Sequence, residues 1–253
     1  MSAVEFRVEN RIAVMTINRP EARNAMNGAV GRGLSDGFAE IERNPEIRIG
    51  VLTGAGGTFC AGMDLKAFVA GEKIDTSGVP FGGKENAVIT KPVIAAVEGF
   101  ALAGGFELAL VCDLIVASRT AKFGLPEVKR GLVAAGGGLV RLPRQAPIRI
   151  ALELALTGDM IDAETMHAYG VINRLAPEGQ ALAAALELAG RIAENAPLAL
   201  AVTKKVIRDS LDWKNAESFD LQREFTGPVF QSNDAREGAA AFAEKRPPRW
   251  TGT

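Results

Sequence analysis

Glu98-Gly99-Phe100-Ala101-Leu102-Ala103-Gly104-Gly105-Phe106-Glu107-Leu108-Ala109-Leu110-Val111-Cys112-Asp113 is the stretch on which the fold turns. A β-type run, Val93 to Val97, feeds it; small residues and a Gly pair follow, and then an apolar segment takes on helical character. One carboxylate, Glu107, interrupts that segment between Phe106 and Leu108, with Ala109, Leu110 and Val111 beyond it. A carboxylate in such company turns away from open water, and burying it is costly unless something uses or satisfies it. The Gly pair is the second anomaly. Residues without a Cβ at a strand-to-helix junction let a ligand approach the backbone, and N–H groups at a helix start can receive an oxyanion.

Outward from this stretch the chain alternates strand and helix. Val4 to Val8 and Ile12 to Ile17 predict a hairpin, Pro20 and its polar neighbours from Asn18 to Met26 a loop, and Val30, Leu34, Phe38 and Ile41 one buried face of a helix over about 27–43. Arg48 to Thr53 predicts a strand and Gly54 to Leu65 a Gly-rich turn into a helix. Between Gly71 and Gly83 periodicity is lost, as in a mobile lid or surface loop. Downstream, Leu114 to Ala117 predicts a strand, Ala121 to Glu127 an extended segment ending at a Pro-Glu pair, and Gly136-Gly137-Gly138 a loop. Helices are predicted over Leu139 to Arg144, Ile148 to Leu156 and Asp162 to Tyr169, and a final strand over Val171 to Leu175. From Glu178 on the pattern is helical throughout: Ala183 to Ala193, Pro197 to Trp213, Ala216 to Phe230 and Asn233 to Lys245. The expectation is an α/β chain with an α/β core over residues 1–195 and a helical region, suited to packing against partners, over 196–253.

Hydrophobic residues make up 47% and charged residues 23% of the chain, which is ordinary for a globular protein. Lys plus Arg number 29 against 30 for Asp plus Glu, a formal charge of -1, so nothing global favours nucleic acid or an anionic membrane. No apolar run reaches the roughly 18 residues of a membrane span, and no secretory signature accompanies Cys60 and Cys112, so a cytoplasmic protein without a disulfide framework is expected. With His167 the lone imidazole and no clustered Cys, a zinc site or a Ser-His-Asp triad has little to be built from. The Gly54 to Leu65 turn lacks both the Lys-Ser/Thr ending of a P-loop and the dinucleotide spacing.

Together these stretches resemble the enoyl-CoA hydratase/isomerase, or crotonase, family over nearly the whole chain. The residues that carry the likeness are Asn18-Arg19-Pro20 with Asn24-Ala25, Phe59-Cys60-Ala61-Gly62-Met63-Asp64-Leu65, the Gly104-Gly105-Phe106-Glu107-Leu108-Ala109 helix start and Phe123-Gly124-Leu125-Pro126-Glu127. Phe106 to Leu110, Leu125-Pro126-Glu127-Val128-Lys129 and Arg141-Leu142-Pro143 are also similar to carnitinyl-CoA dehydratase relatives.

The resemblance implies a spiral of ββα units with a C-terminal helical trimerisation region, trimers commonly pairing into hexamers. It implies an acyl-CoA thioester substrate and no cofactor beyond the CoA carried by that substrate; with the charge balance and residue content above, no metal is expected, and neither nucleic acid nor membrane is expected as partner. It puts an oxyanion hole on the backbone N–H groups of Met63 and Gly104, where fixed donors stabilise an enolate-like oxygen by about 3–4 kcal/mol each. It makes Glu107 and Glu127, twenty residues apart, the acid/base pair of an enoyl-CoA hydratase: Glu127 exchanges the proton at the substrate α-carbon, and Glu107 orients and helps deprotonate the attacking water. Arg23 and Lys66 would lie near the CoA nucleotide, Lys245 would reach a phosphate across a subunit boundary, and Ala25, Ala61, Asp64 and Leu65 complete the substrate-contacting set. Asp64 also has the chemistry of a helix cap. Alternatives are another crotonase reaction (carnitinyl-CoA dehydration or enoyl-CoA isomerisation) and, outside catalysis, an acyl-CoA-binding or RNA-binding protein.

Overall fold

A computed structural model describes residues 2–74, 77–81 and 89–253. Its strands, in chain order, are β1 (Val4–Glu9), β2 (Ile12–Ile17), β3 (Ile49–Gly54), β4 (Val93–Val97), β5 (Phe100–Leu102), β6 (Leu114–Ser118), β7 (Lys122–Gly124), β8 (Ile161–Asp162) and β9 (Arg174–Ala176). The helices are α1 (Gly28–Arg43), α2 (Leu65–Val69), α3 (Gly104–Val111), α4 (Gly138–Gln145), α5 (Ile148–Thr157), α6 (Ala163–Ala168), α7 (Ala181–Ala193), α8 (Pro197–Asp209), α9 (Ser218–Phe230) and α10 (Asn233–Glu244). Among the described residues no helix is long and apolar enough to cross a membrane.

The main sheet has the order β1-β2-β3-β4-β6-β9. The β1–β2 hairpin is antiparallel and every later pairing parallel. Strands such as Val93-Ile94-Ala95-Ala96-Val97 read as unbroken apolar runs because both of their faces are covered. Ile12, Val14, Ile49, Val51, Ile94, Ala96 and Val116 pack under α7, whose Ala185, Ala189 and Ala193 recur every four residues and let the helix settle close to the sheet. Ala13, Met15, Leu52, Ala95, Val97 and Ile115 point the other way, into a core shared with Val30, Leu34 and Phe38 of α1 and Phe106 and Leu110 of α3.

A second, three-stranded sheet, β5-β7-β8, stands beside the first and carries the junction into α3. Its strands β5 and β8 escape the sequence pattern because at three and two residues they are too short to show a period. The last strand also begins later than the apolar run from Val171 predicts. The N–H groups of Val171 and Ile172 both turn back to the Met166 carbonyl, closing the end of α6, before Asn173 joins the edge of β6. Of the loop expected between Gly71 and Gly83, residues 75, 76, 82 and 83 lie outside the described residues; the rest contains neither helix nor strand.

Candidate active site

The two anomalies meet at the start of α3, a helix in which every residue after Gly104 is buried. Ala103, the residue before it, has φ 51° and ψ −131°, which a residue with a Cβ adopts only at a cost of about 1–3 kcal/mol. Hydrogen bonds hold it there: its N–H donates to the Gly124 carbonyl at 2.9 Å, and its own carbonyl accepts from the N–H groups of Phe106 at 2.8 Å and Glu107 at 3.0 Å. The chain thereby turns abruptly out of β5. The Gly104 N–H, first in the helix, finds no acceptor among the described residues.

A second N–H is left over in the same way. Residues 60–64 are held on both sides, by Cys60 N–H to Phe100 O at 2.9 Å and Leu102 N–H to Cys60 O at 3.0 Å toward β5, and by Met26 N–H to Gly62 O at 2.8 Å and Asp64 N–H to Met26 O at 2.9 Å toward the loop after β2. These bonds use the groups flanking Met63 and leave its N–H without an acceptor among the described residues. The two donors are neighbours: a Cβ added to Gly104 would lie 3.9 Å from the Met63 nitrogen and only 2.5 Å from the Met26 methyl. A side chain at position 104 would therefore displace the end of Met26 and enter the space before the two N–H groups.

Both donors border a cavity of about 740 Å³ whose wall includes Glu107, Glu127 and Arg130 on its polar side and Met26, Leu65, Ile74, Phe81, Leu132 and Val133 on its apolar side. A separate cleft of about 510 Å³, between the β1–β2 turn and α7, holds neither glutamate. Glu107 is 4% exposed, and its Oε1 accepts the Gly138 N–H at 2.9 Å. Burial pushes its carboxyl above the ordinary range, opposed by the N–H groups of Gly138 and Gly136 and by the Arg141 charge. Glu127 is 9% exposed, held in the 3₁₀ turn Pro126–Arg130. Its Oε2 is buried without a hydrogen-bond partner among the described residues. Burial again raises its carboxyl first, its own backbone N–H opposes this, the Glu107 charge raises it further, and Arg130 opposes. The environments differ in kind: two loop N–H groups and the Arg141 charge oppose the rise at Glu107, while at Glu127 the neighbouring Glu107 charge adds to it.

Residues 7–253 fit the family model for enoyl-CoA hydratase/isomerase. The chain belongs to that family. It is 43% identical over 244 residues to enoyl-CoA hydratase EchA19 of Mycobacterium tuberculosis, covering 94% of this chain and 92% of that protein. It is 39% identical to a carnitinyl-CoA dehydratase of Proteus mirabilis, covering 93% of each. A crystal structure of an enoyl-CoA hydratase from Mycobacterium tuberculosis H37Rv superposes with a TM-score of 0.94 at 52% identity over all of both chains. The mixed α/β architecture ending in helices is thus the crotonase fold.

Of the residues that the enoyl-CoA hydratase/isomerase resemblance singles out, Met63, Gly104, Glu107, Glu127, Ala61 and Leu65 all line the one cavity. Arg23, Ala25, Asp64, Lys66 and Lys245 do not. Asp64 caps α2, accepting the N–H groups of Lys66 at 3.1 Å and Ala67 at 3.2 Å, and pairs with Arg19 at 3.1 Å. The Arg23 carbonyl accepts the Ala61 N–H at 3.0 Å and the Ala25 carbonyl accepts Arg19 Nη1 at 2.6 Å, while the side chains of Arg23, Lys66 and Lys245 are exposed. Lys245 ends α10 in a left-handed conformation. Burial pushes the Cys60 and Cys112 thiols up to about 12, so both stay neutral fillers of the core.

Two parts of the site went unread in the sequence. Gly136-Gly137-Gly138 looks like loop punctuation, yet it wraps Glu107: a Cβ on Gly136 would meet Glu107 Oε2 at 2.7 Å, and one on Gly138 would meet its Cγ at 3.0 Å. Asn24 is fully buried and donates to the carbonyls of Ala55 at 2.8 Å and Thr58 at 2.6 Å, tying the Gly-rich turn to the loop after β2. A glycine run twenty-nine residues from an unexplained buried Glu is a signal only in retrospect, because nothing local says which side chain it embraces.

Proposed function

We propose that the chain is a hydro-lyase that adds water reversibly across the 2,3 double bond of an enoyl-CoA thioester. The observation that carries this reading is the sharing of one cavity by two buried carboxyls and two N–H groups without acceptors. The thioester oxygen would accept from Met63 and Gly104, so that charge moving onto it in the transition state meets fixed donors. Glu107, held by the Gly138 N–H, takes the proton of a water attacking the β-carbon. Glu127, across the same cavity, delivers a proton to the α-carbon. Dehydration runs the same steps backward.

Arg23, Lys66 and Lys245 are proposed for the CoA phosphates, with Ala25, Ala61, Asp64 and Leu65 along the path between nucleotide and thioester. Self-association through the C-terminal helices is supported by the exposure of Phe219, Phe230 and Phe242, at 72%, 81% and 88%; sedimentation of the purified chain separates trimer from hexamer. We assign the protein to the cytoplasm on its composition.

The test is loss of the conjugated thioester absorbance of crotonyl-CoA. Glu107→Gln and Glu127→Gln are each expected to slow turnover by about 10²–10⁴-fold; undiminished turnover in both would sink the assignment. Carnitinyl-CoA dehydration is kept as a second reading because relatives of 39% and 40% identity carry that name. Product analysis with carnitinyl-CoA decides it, and the apolar wall of Ile74, Phe81, Leu132 and Val133 supports an uncharged acyl chain instead.

A further inference from the structure

Arg141, on the inner turn of α4, makes a set of contacts that the proposed reaction does not by itself require. Its Nη1 donates to the carbonyls of Phe81 at 2.6 Å and Gly136 at 3.2 Å, and its Nη2 donates to the carbonyl of Pro80 at 2.8 Å. No carboxylate of the described residues forms an ion pair with it. A half-buried guanidinium spending its donors on three carbonyls from two separate segments is a fastening, since the planar fork fixes all its acceptors at once. The two segments are not arbitrary. Phe81 forms part of the apolar wall of the cavity, and Gly136 opens the loop whose Gly138 N–H holds Glu107. Gly137 between them has φ 99°, and a Cβ there would run into Arg141 Nη1, so the loop is shaped to admit this side chain.

We propose that Arg141 is a positioning residue that clamps the Pro80–Phe81 wall onto the Gly136–Gly138 loop, seating Glu107 and closing the acyl pocket as one unit. The inference rests on the hydratase reading for its catalytic consequence, and on the hydrogen bonds alone for the clamp. The fork acts on Glu107 in two ways. It fixes the loop that donates to the carboxylate, and it supplies a positive charge that favours the anion. The charged groups around the pair are Glu127 from the 3₁₀ turn and Arg208 from α8, with the Cys112 thiol at the end of α3.

Arg141→Met and Arg141→Lys in the full-length chain separate these effects. Lysine keeps the charge but offers a single ammonium that cannot bridge three carbonyls. In both variants hydrogen–deuterium exchange should rise in peptides covering Phe81 and Gly136–Gly138, while the β1–β2 hairpin and α10 stay protected as in the parent. With crotonyl-CoA, kcat should fall by about 10- to 100-fold, more than KM changes, as expected for a misplaced reacting group. The acid limb of the kcat/KM profile should move to higher pH in Arg141→Met, because Glu107 loses an opposing charge, and should stay in place in Arg141→Lys. Exchange that is unchanged, or raised uniformly across the chain, overturns the clamp. Locally raised exchange with parental kcat and parental pH profile overturns the positioning role. If the parent itself turns over no enoyl-CoA, the hydratase reading fails separately, and the exchange pattern still decides whether Arg141 joins the two segments.

Discussion

Glu107 and Glu127 are expensive residues for the fold, and the cost has a sign. Each carboxyl is raised above its ordinary value of 4.5, first by burial. A group that binds its proton more tightly in the folded chain than in the unfolded one contributes its stability fully below the unfolded pKa and loses it as pH rises through the folded value. Near neutral pH, therefore, both acids destabilise the chain that needs them. Glu127 is the cleaner case, because its Oε2 has no hydrogen bond to lose among the described residues. Glu127→Gln is expected to melt at a higher temperature than the parent at pH 7–8, with the gap closing as the pH falls toward 4.5. Melting curves across that range check it, and a variant that melts lower at every pH would show that the carboxyl stabilises the fold. The same residue should be stabilised and inactive at once, the mark of a group kept for chemistry.

At the scale of elements, α3 shows how packing and chemistry share one glycine pair. Gly104 leaves space beside Met26 and Met63, whereas Gly105 faces the other way, where a Cβ would lie 2.8 Å from the Cys60 carbonyl carbon and 2.9 Å from the Cys60 Cβ. Backbone cannot yield as a flexible side chain can, so Gly105→Ala must push α3 away from the segment that carries Met63. Overpacking of this kind costs about 1–3 kcal/mol, or a Tm loss of roughly 2–4 °C for each kcal/mol in a chain of this size. Gly104→Ala meets only the Met26 methyl and should spare stability while filling the space before the two N–H groups. Thermal melts paired with crotonyl-CoA assays distinguish the positions; equal Tm losses in both would refute the division. The pair was visible in the sequence as an anomaly, and so was Glu107, because a charge in an apolar run contradicts its surroundings. The partition of roles between Gly104 and Gly105 was not, since it depends on which chain segment crosses each face of the helix start. The same reason hid the Gly136–Gly138 wrap, β5 and β8. All are defined by partners distant in sequence, whereas α1 and β4 are defined by their own periodicity and were legible.

Across the whole molecule a polar knot behind α3 joins the helical end to the site, beside the Arg144–Asp212 pair from α4. Asp113, just beyond α3, accepts the Val93 N–H at 2.8 Å and pairs with Lys204 at 2.9 Å and Arg208 at 3.0 Å, both on α8. Arg208 also donates to the Val111 carbonyl at 2.8 Å, and Lys204 to the Lys91 carbonyl at 2.7 Å. The side chain of Lys204 is 11% exposed and that of Asp113 16%, so both charges are largely withdrawn from water. No local pattern in the sequence reveals these ion pairs, because Lys204 and Arg208 lie 91 and 95 residues beyond Asp113. We propose a boundary at 195/196, where the chain leaves α7 and the sheet, and the knot is then the seam between the two regions. Removing one partner of a buried pair costs more than the pair is worth, about 3–5 kcal/mol, since the survivor stays buried and charged. Asp113→Ala is therefore expected to lower Tm by roughly 6 °C or more and to expose the region after residue 195 to limited proteolysis before the sheet. Lys204→Met in the same chain should recover part of that loss, because it removes the stranded ammonium and leaves an apolar stem of similar length. A double variant whose destabilisation is merely the sum of the two single changes, within about 0.5 kcal/mol, would show that Asp113 and Lys204 act independently and that their pairing does not hold the helical end in place.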